Sequence, residues 1–147
     1  MPPFVTTCEV RWADLDAKRQ GLPFVEVWGT GRASREFLYV DDAARGIILA
    51  AERYNKSEPV NLGAGMEITI RNLVTLIQEL TDYTGDIHWD TTKPDGQPKR
   101  CLDVSRAKQE FGFEAKMPFR EGVKQTIEWY ENRQDDMGRR SGEVNHC

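Results

Sequence analysis

The run Val25-Glu-Val-Trp-Gly-Thr-Gly-Arg-Ala-Ser-Arg-Glu-Phe-Leu-Tyr-Val-Asp-Asp42 constrains this chain more than any other stretch. Val25 and Val27 alternate with Glu26 and Trp28, the period of a half-buried strand. Phe37, Leu38, Tyr39 and Val40 form a second β-prone apolar run. Between them, Gly29 and Gly31 allow a turn where a Cβ would clash, and they let a ligand approach the backbone. Arg32 and Arg35 sit at the mouth of that turn, and a guanidinium fork suits a pair of phosphate oxygens. Asp41 or Asp42 is placed to cap a following helix.

The rest of the chain alternates helix and strand around this unit. Thr6 and Glu9 have capping-box spacing, and residues 9–20 read as a helix stopped by Gly21. From Ala43 the period is helical, with Ala44, Ile47, Ile48 and Ala51 on one face and Tyr54-Asn55 at its end. Val60-Asn-Leu-Gly-Ala-Gly65 reads as a short buried strand entering a Gly-rich turn. Thr69 then caps a helix whose Ile70, Leu73, Leu76, Ile77 and Leu80 make a wide apolar stripe, closed by Gly85. Ile87 and Trp89 face one way on another short strand. A polar loop, Thr91 to Arg100, carries Lys93, Lys99 and Arg100, with two prolines and a glycine against regular structure. Ser105 to Gly112 is a short helix, and Phe119, Val123, Ile127 and Tyr130 mark a final amphipathic one. The tail 134–147 has no period and is expected to be disordered. Strand, helix, strand, helix, strand at short spacing predicts an α/β fold with a small parallel sheet and packed helices.

Composition narrows the partners. Of 147 residues, 24 are acidic and 20 basic, a net charge of −4, which argues against a nucleic-acid surface. No apolar run approaches membrane-spanning length. Cys8, Cys101 and Cys147 are odd in number and widely spaced, which fits neither a disulfide framework nor a zinc site and points to a reducing, cytoplasmic setting.

The chain carries no self-sufficient catalytic set. Gly29-Thr-Gly-Arg-Ala-Ser34 lacks the third glycine of a dinucleotide fingerprint, and a strand follows it where that motif needs a helix. None of Tyr39, Tyr54, Tyr83 and Tyr130 has a lysine four residues on, as hydride chemistry at a sugar hydroxyl would want. His88 falls in a strand and His146 in the tail. The cations are more informative: Arg35, the Trp28 ring and Lys99-Arg100 together suit a base or sugar and its phosphates, although solvated arginines and a core tryptophan would leave the same pattern.

Those residues also carry a resemblance. The strand-turn-strand at 25–42 resembles the extended short-chain dehydrogenase/reductases, in particular the GDP-L-fucose synthase branch of the nucleotide-sugar epimerase/reductases. The likeness continues through Val60–Gly65, Ile68-Thr-Ile70, Lys93-Pro-Asp-Gly-Gln-Pro98, Leu102-Asp-Val-Ser-Arg106 and Arg120-Glu-Gly122 to Trp129-Tyr130. It covers about residues 17–133, leaving 1–16 as a divergent segment where Arg11-Trp12 falls in an uncertain register. In the family this region is the C-terminal half, closing over a nucleotide diphospho-sugar. The resemblance implies that Trp28 lies beside the substrate, Arg35 contacts the diphosphate, Arg100 is a basic neighbour of the nucleotide, and Asp95 is a loop-former or ribose neighbour. Asn61 and Arg71 match the pattern as structural residues.

The family's Rossmann half, with its NADP turn and Ser/Tyr/Lys group, has no counterpart here. The expectation is therefore a nucleotide-sugar-binding part that needs no cofactor of its own and is not catalytic alone. The alternatives are a non-catalytic assembly module and one half of a split epimerase. Removal of the front half should uncover apolar surface on helix 43–54, and a homo-oligomer or a partner half is expected to cover it.

Overall fold

The computed structural model describes the backbone of residues 4–5 and 13–142 and the side chains of residues 17–133. The expected alternation at 24–28 is realised as strand β2 (Phe24–Trp28), following strand β1 (Phe4–Val5) and helix α1 (Ala13–Gln20). Val25 is buried while Glu26 and Trp28 face solvent. Gly21, at φ 64°, ends α1 as its sequence position predicts. The capping-box pair Thr6 and Glu9, and Arg11-Trp12, lie outside the described residues.

The order continues as β3 (Ser34–Arg35), β4 (Leu38–Tyr39), α2 (Val40–Arg53), β5 (Ile68–Thr69), α3 (Ile70–Thr81), β6 (Asp86–Asp90), β7 (Lys99–Arg100), α4 (Ser105–Phe111) and α5 (Phe119–Gly142). The class is α/β, with parallel pairing of β2 to β6 from Phe24↔Asp86 to Trp28↔Asp90. A second parallel pair joins β3 to β7, and β5 lies antiparallel on the other side of β3. β1 pairs antiparallel with β4.

Several local expectations are revised. Val60 to Gly65 is not a strand: Gly65 N–H donates to Glu36 Oε1 at 2.7 Å, and the Asn61 side chain donates through Nδ2 to the Asp103 carbonyl at 3.2 Å. Neither Asp41 nor Asp42 caps α2. The cap position is Tyr39, without a side-chain bond, and both aspartates lie in the first turn, where the helix dipole favours them. Asp82, at φ 51°, ends α3 three residues before Gly85. Lys99–Arg100 forms strand β7 inside the loop expected to be irregular. The backbone of α5 runs helical to Gly142, into the stretch expected to be disordered. The Thr69 cap stands, its Oγ1 accepting from Asn72 N–H at 3.2 Å, and Gly112 closes α4 at φ 73°.

Among the described residues, three apolar clusters hold these elements together. Phe37 packs with Leu73 and Ile77 of α3 and Val123 and Ile127 of α5. Leu38 packs with Ala107, Phe111 and Phe113 against α2 and α4, and Phe113, at 1% exposure, anchors this cluster. Ala17, Val25 and Tyr83 form a smaller group under β2 and β6. Full burial of one such aromatic side chain contributes about 2–3 kcal/mol.

Helix α2 buries the face opposite the stripe read from sequence. Asp42 and Gly46 point inward with Ala43, Leu49 and Ala50 half-buried, while Ile47 and Ile48 remain 61% and 58% exposed and Ala44 and Ala51 lie in solvent. The inward face is tied by Asp42, which accepts from Arg45 Nη2 at 2.7 Å and from the N–H groups of Lys116 and Met117, each at 2.8 Å.

Candidate functional site

Two stretches far apart in sequence lie against each other at one edge of the molecule. One runs from Trp28 through the Gly-rich turn to Arg35, and the other from Lys93 to Arg100. Lys93 Nζ sits 5.4 Å from the centre of the Trp28 ring. Asp95 takes two bonds from Thr30, from N–H at 2.5 Å and from Oγ1 at 2.6 Å. Arg35 Nη1 donates to the carbonyls of Ser34 and Gln97, both at 2.7 Å, and Ser34 N–H donates to the Pro98 carbonyl at 2.9 Å. Arg35 and Arg100 are direct register partners across β3 and β7, so both side chains leave the sheet on the same face.

Glycine makes this contact possible. At Gly29 (φ 85°) a Cβ would stand 2.3 Å from Asp95 Oδ1, and at Gly31 (φ 74°) one would stand 2.6 Å from the Trp89 ring. Behind the turn, Arg71 lies 4.4 Å over the Trp89 ring and donates to the Thr30 carbonyl at 2.7 Å, while Arg71 N–H bonds the Gly31 carbonyl at 3.0 Å. Arg71 and Asn61 are thus structural in their contacts, as read from sequence.

The four expected site residues, Trp28, Arg35, Asp95 and Arg100, are brought to this edge, but in different conditions. Trp28 is 63% exposed at the end of β2. Asp95 is committed to the turn: the Thr30 hydroxyl, then the Thr30 N–H, holds its carboxyl below the usual carboxylate range. It serves the loop in this structure, the first of the two roles expected for it. Lys99, beside Arg100, is drawn to Glu67 at 2.8 Å, and Glu67 also accepts from Ser34 Oγ at 2.9 Å. Of the Lys99-Arg100 pair, then, only Arg100 shares a register position with Arg35.

Some residues that build the site carried no sequence signal. Glu36 accepts from Gly65 N–H and from Leu102 N–H, each at 2.7 Å, and so links the chain before β5 to the chain after β7. Thr30 lies between two glycines and its partner is 65 residues away, which no local period reveals.

The edge presents two arginines in register and one exposed aromatic ring. Two cations in register repel one another unless negative charge lies between them. Among the described residues no group of three or more His, Cys, Asp or Glu side chains is placed to hold a metal. Residues 29–34 lead into β3 and residues 63–65 towards β5, so neither glycine-rich turn opens directly into a helix N-terminus, and neither has the shape that cradles a dinucleotide pyrophosphate. Among the described residues no helix is long and apolar enough to cross a membrane.

Comparison with known proteins gives a consistent answer. The model of the NAD dependent epimerase/dehydratase family matches residues 13–63. GDP-L-fucose synthase 1 of Arabidopsis thaliana is 44% identical over 115 residues, which is 78% of this chain and 35% of the relative. Among solved structures, a GDP-L-fucose synthetase from Naegleria fowleri superposes with a TM-score of 0.77 at 27% identity, over 84% of this chain and 38% of its own. The UDP-glucose 4-epimerase of Thermotoga maritima, solved with UDP-glucose, gives 0.68 at 32% identity, over 75% of this chain and 35% of its own. The chain spans about a third of the length of the curated relatives it matches. From this agreement of sequence, fold and motif order, the chain matches the C-terminal part of the GDP-L-fucose-synthase-like members of the NAD-dependent epimerase/dehydratase family, which are extended short-chain dehydrogenase/reductases.

Proposed function

We propose that the edge formed by residues 28–35 and 93–100 binds a nucleotide diphospho-sugar of the GDP type. The observation that carries this reading is the register pairing of Arg35 with Arg100 beside an exposed tryptophan. The diphosphate lies between the two guanidiniums, and the Trp28 ring stacks on a ring of the ligand. Support comes from the relatives, named as GDP-L-fucose synthases, and from a fold neighbour solved with UDP-glucose. Epimerisation and hydride delivery from NADPH, the parent chemistry, rely on the family's other half, so turnover requires a polypeptide that supplies it. A cytoplasmic setting suits such a substrate.

Titration of the chain with GDP, followed by tryptophan fluorescence and calorimetry, tests the reading. Arg35→Ala is expected to weaken GDP binding by about 1.5–3 kcal/mol, the usual value of a hydrogen bond to a charged group. Wild-type protein that gives no response at millimolar GDP would return the arginines to ordinary surface charge.

A second reading concerns assembly and rests on α2. Ala44, Ile47, Ile48 and Ala51 form an apolar stripe at helical spacing that the described residues leave in solvent. In this reading the stripe is covered by a second copy or by a chain carrying the family's other half. Sizing by light scattering should give more than one copy per particle, and Ile47→Glu should return it to a monomer. A wild-type monomer at high concentration would leave the partner half as the only occupant.

A further inference from the structure

The site also contains Lys93, which belongs to the loop motif of the family likeness but is given no role by it. Lys93 and the residue after Trp28 share one backbone acceptor. The Asp90 carbonyl accepts from Gly29 N–H, next to Trp28, at 2.9 Å and from Lys93 N–H at 3.2 Å, and Trp28 and Asp90 are register partners. The turn between is shaped by the Asp90 carboxylate, which accepts from Thr92 N–H at 3.0 Å and from Thr92 Oγ1 at 2.5 Å. The main chain therefore brings the stems of the two side chains close together. The two carboxylates nearest Lys93 in sequence, Asp90 and Asp95, are engaged with Thr92 and Thr30. The Lys93 charge adds a smaller pull on the Asp90 carboxyl, after the Thr92 bonds, and its ammonium lies over the indole.

We propose that Lys93 is a positioning residue for ligand recognition: it holds one face of the Trp28 ring so that the other face is presented to the planar base of a nucleoside diphosphate. The inference rests on the diphosphate reading above and adds which part of the ligand the tryptophan reads. An indole 63% exposed at a strand end would otherwise sample several rotamers. A cation over one face both orders it and restricts stacking to the opposite side. Lys93 then contributes to the affinity for the base and not to that for the diphosphate.

Calorimetry of the full chain with two probes, GDP and inorganic pyrophosphate, tests this. Wild-type protein is expected to bind GDP more tightly than pyrophosphate. Lys93→Met should weaken GDP by about two- to fivefold and leave pyrophosphate unchanged, and Lys93→Arg, which keeps a cation able to lie over the ring, should restore GDP. Equal loss for both probes would make Lys93 a plain phosphate contact and overturn the proposal, as would no change for either. Wild-type protein that binds pyrophosphate and GDP equally would overturn it too, while sparing the arginine reading. If wild-type protein binds neither probe, both readings fall together.

Discussion

Asp42→Ala is expected to destabilise the fold by about 3 kcal/mol or more, because it removes the single acceptor shared by a guanidinium and two main-chain donors. Asp42 is only 5% exposed, so water cannot take over those bonds without opening the packing of α2 against residues 114–117. At this chain length the loss corresponds to a fall of roughly 10 °C in the melting temperature. The effect also has a pH signature. Burial by itself raises the Asp42 pKa, but the Arg45 guanidinium and the N–H groups of Met117 and Lys116 outweigh it, and the net shift is downward. A carboxyl whose folded pKa is lowered stabilises fully above its unfolded value of about 3.9, and that contribution is lost as pH falls through the folded value. Urea midpoints of wild type and variant should thus differ by a constant amount from pH 7 to pH 5 and converge below about pH 4. A gap that stays the same into strong acid would assign the cost to lost packing rather than to the charge.

The second large effect is expected at Gly31. Alanine there meets two penalties: a left-handed backbone at φ 74°, about 1–2 kcal/mol, and a Cβ 2.6 Å from the Trp89 ring, which adds about 1–3 kcal/mol of overpacking. Gly112 supplies the control. Its φ is 73° and a Cβ there meets nothing within 4 Å, so Gly112→Ala should show the backbone penalty alone, about 1–2 kcal/mol. Denaturation of the two variants side by side separates conformation from crowding. Equal losses at both positions would mean that the Trp89–Arg71 stack yields freely, and that the turn is less fixed than its bonds imply.

Much of this was legible in the residues. The helices from Val40, Ile70 and Phe119 follow from apolar period, the one from Ile70 also from its Thr69 cap. The one from Ser105 follows from its glycine stop, and β2 and β6 from alternation, because those signals are local. Val60–Gly65 is apolar and glycine-bearing like a buried strand, yet its Gly65 N–H is taken by the Glu36 side chain and it joins none of the described sheets. Asp42 looked like a cap because it stands at a helix start, and only the fold shows that its carboxylate reaches the chain at 116–117. For α2 the sequence identified an apolar stripe without saying on which side the core lay. The inward side is instead chosen by Gly46, whose missing Cβ lets Phe113 and Leu62 approach. In the site, the arginines and the tryptophan could be named from their types, whereas Thr30, Glu36 and Glu67 act through partners that no spacing reveals.

Thr30 and Asp95 are 65 positions apart, and Arg35 and Gln97 are 62 apart. Bringing such distant segments together costs chain entropy before any bond is returned, whereas α2 and α3 between them form through near neighbours. The edge formed by residues 28–35 and 93–100 is therefore expected to form after the helices between its two segments. In the proposed reading, a nascent chain has no complete nucleotide site until Arg100 has been synthesised and paired in register with Arg35.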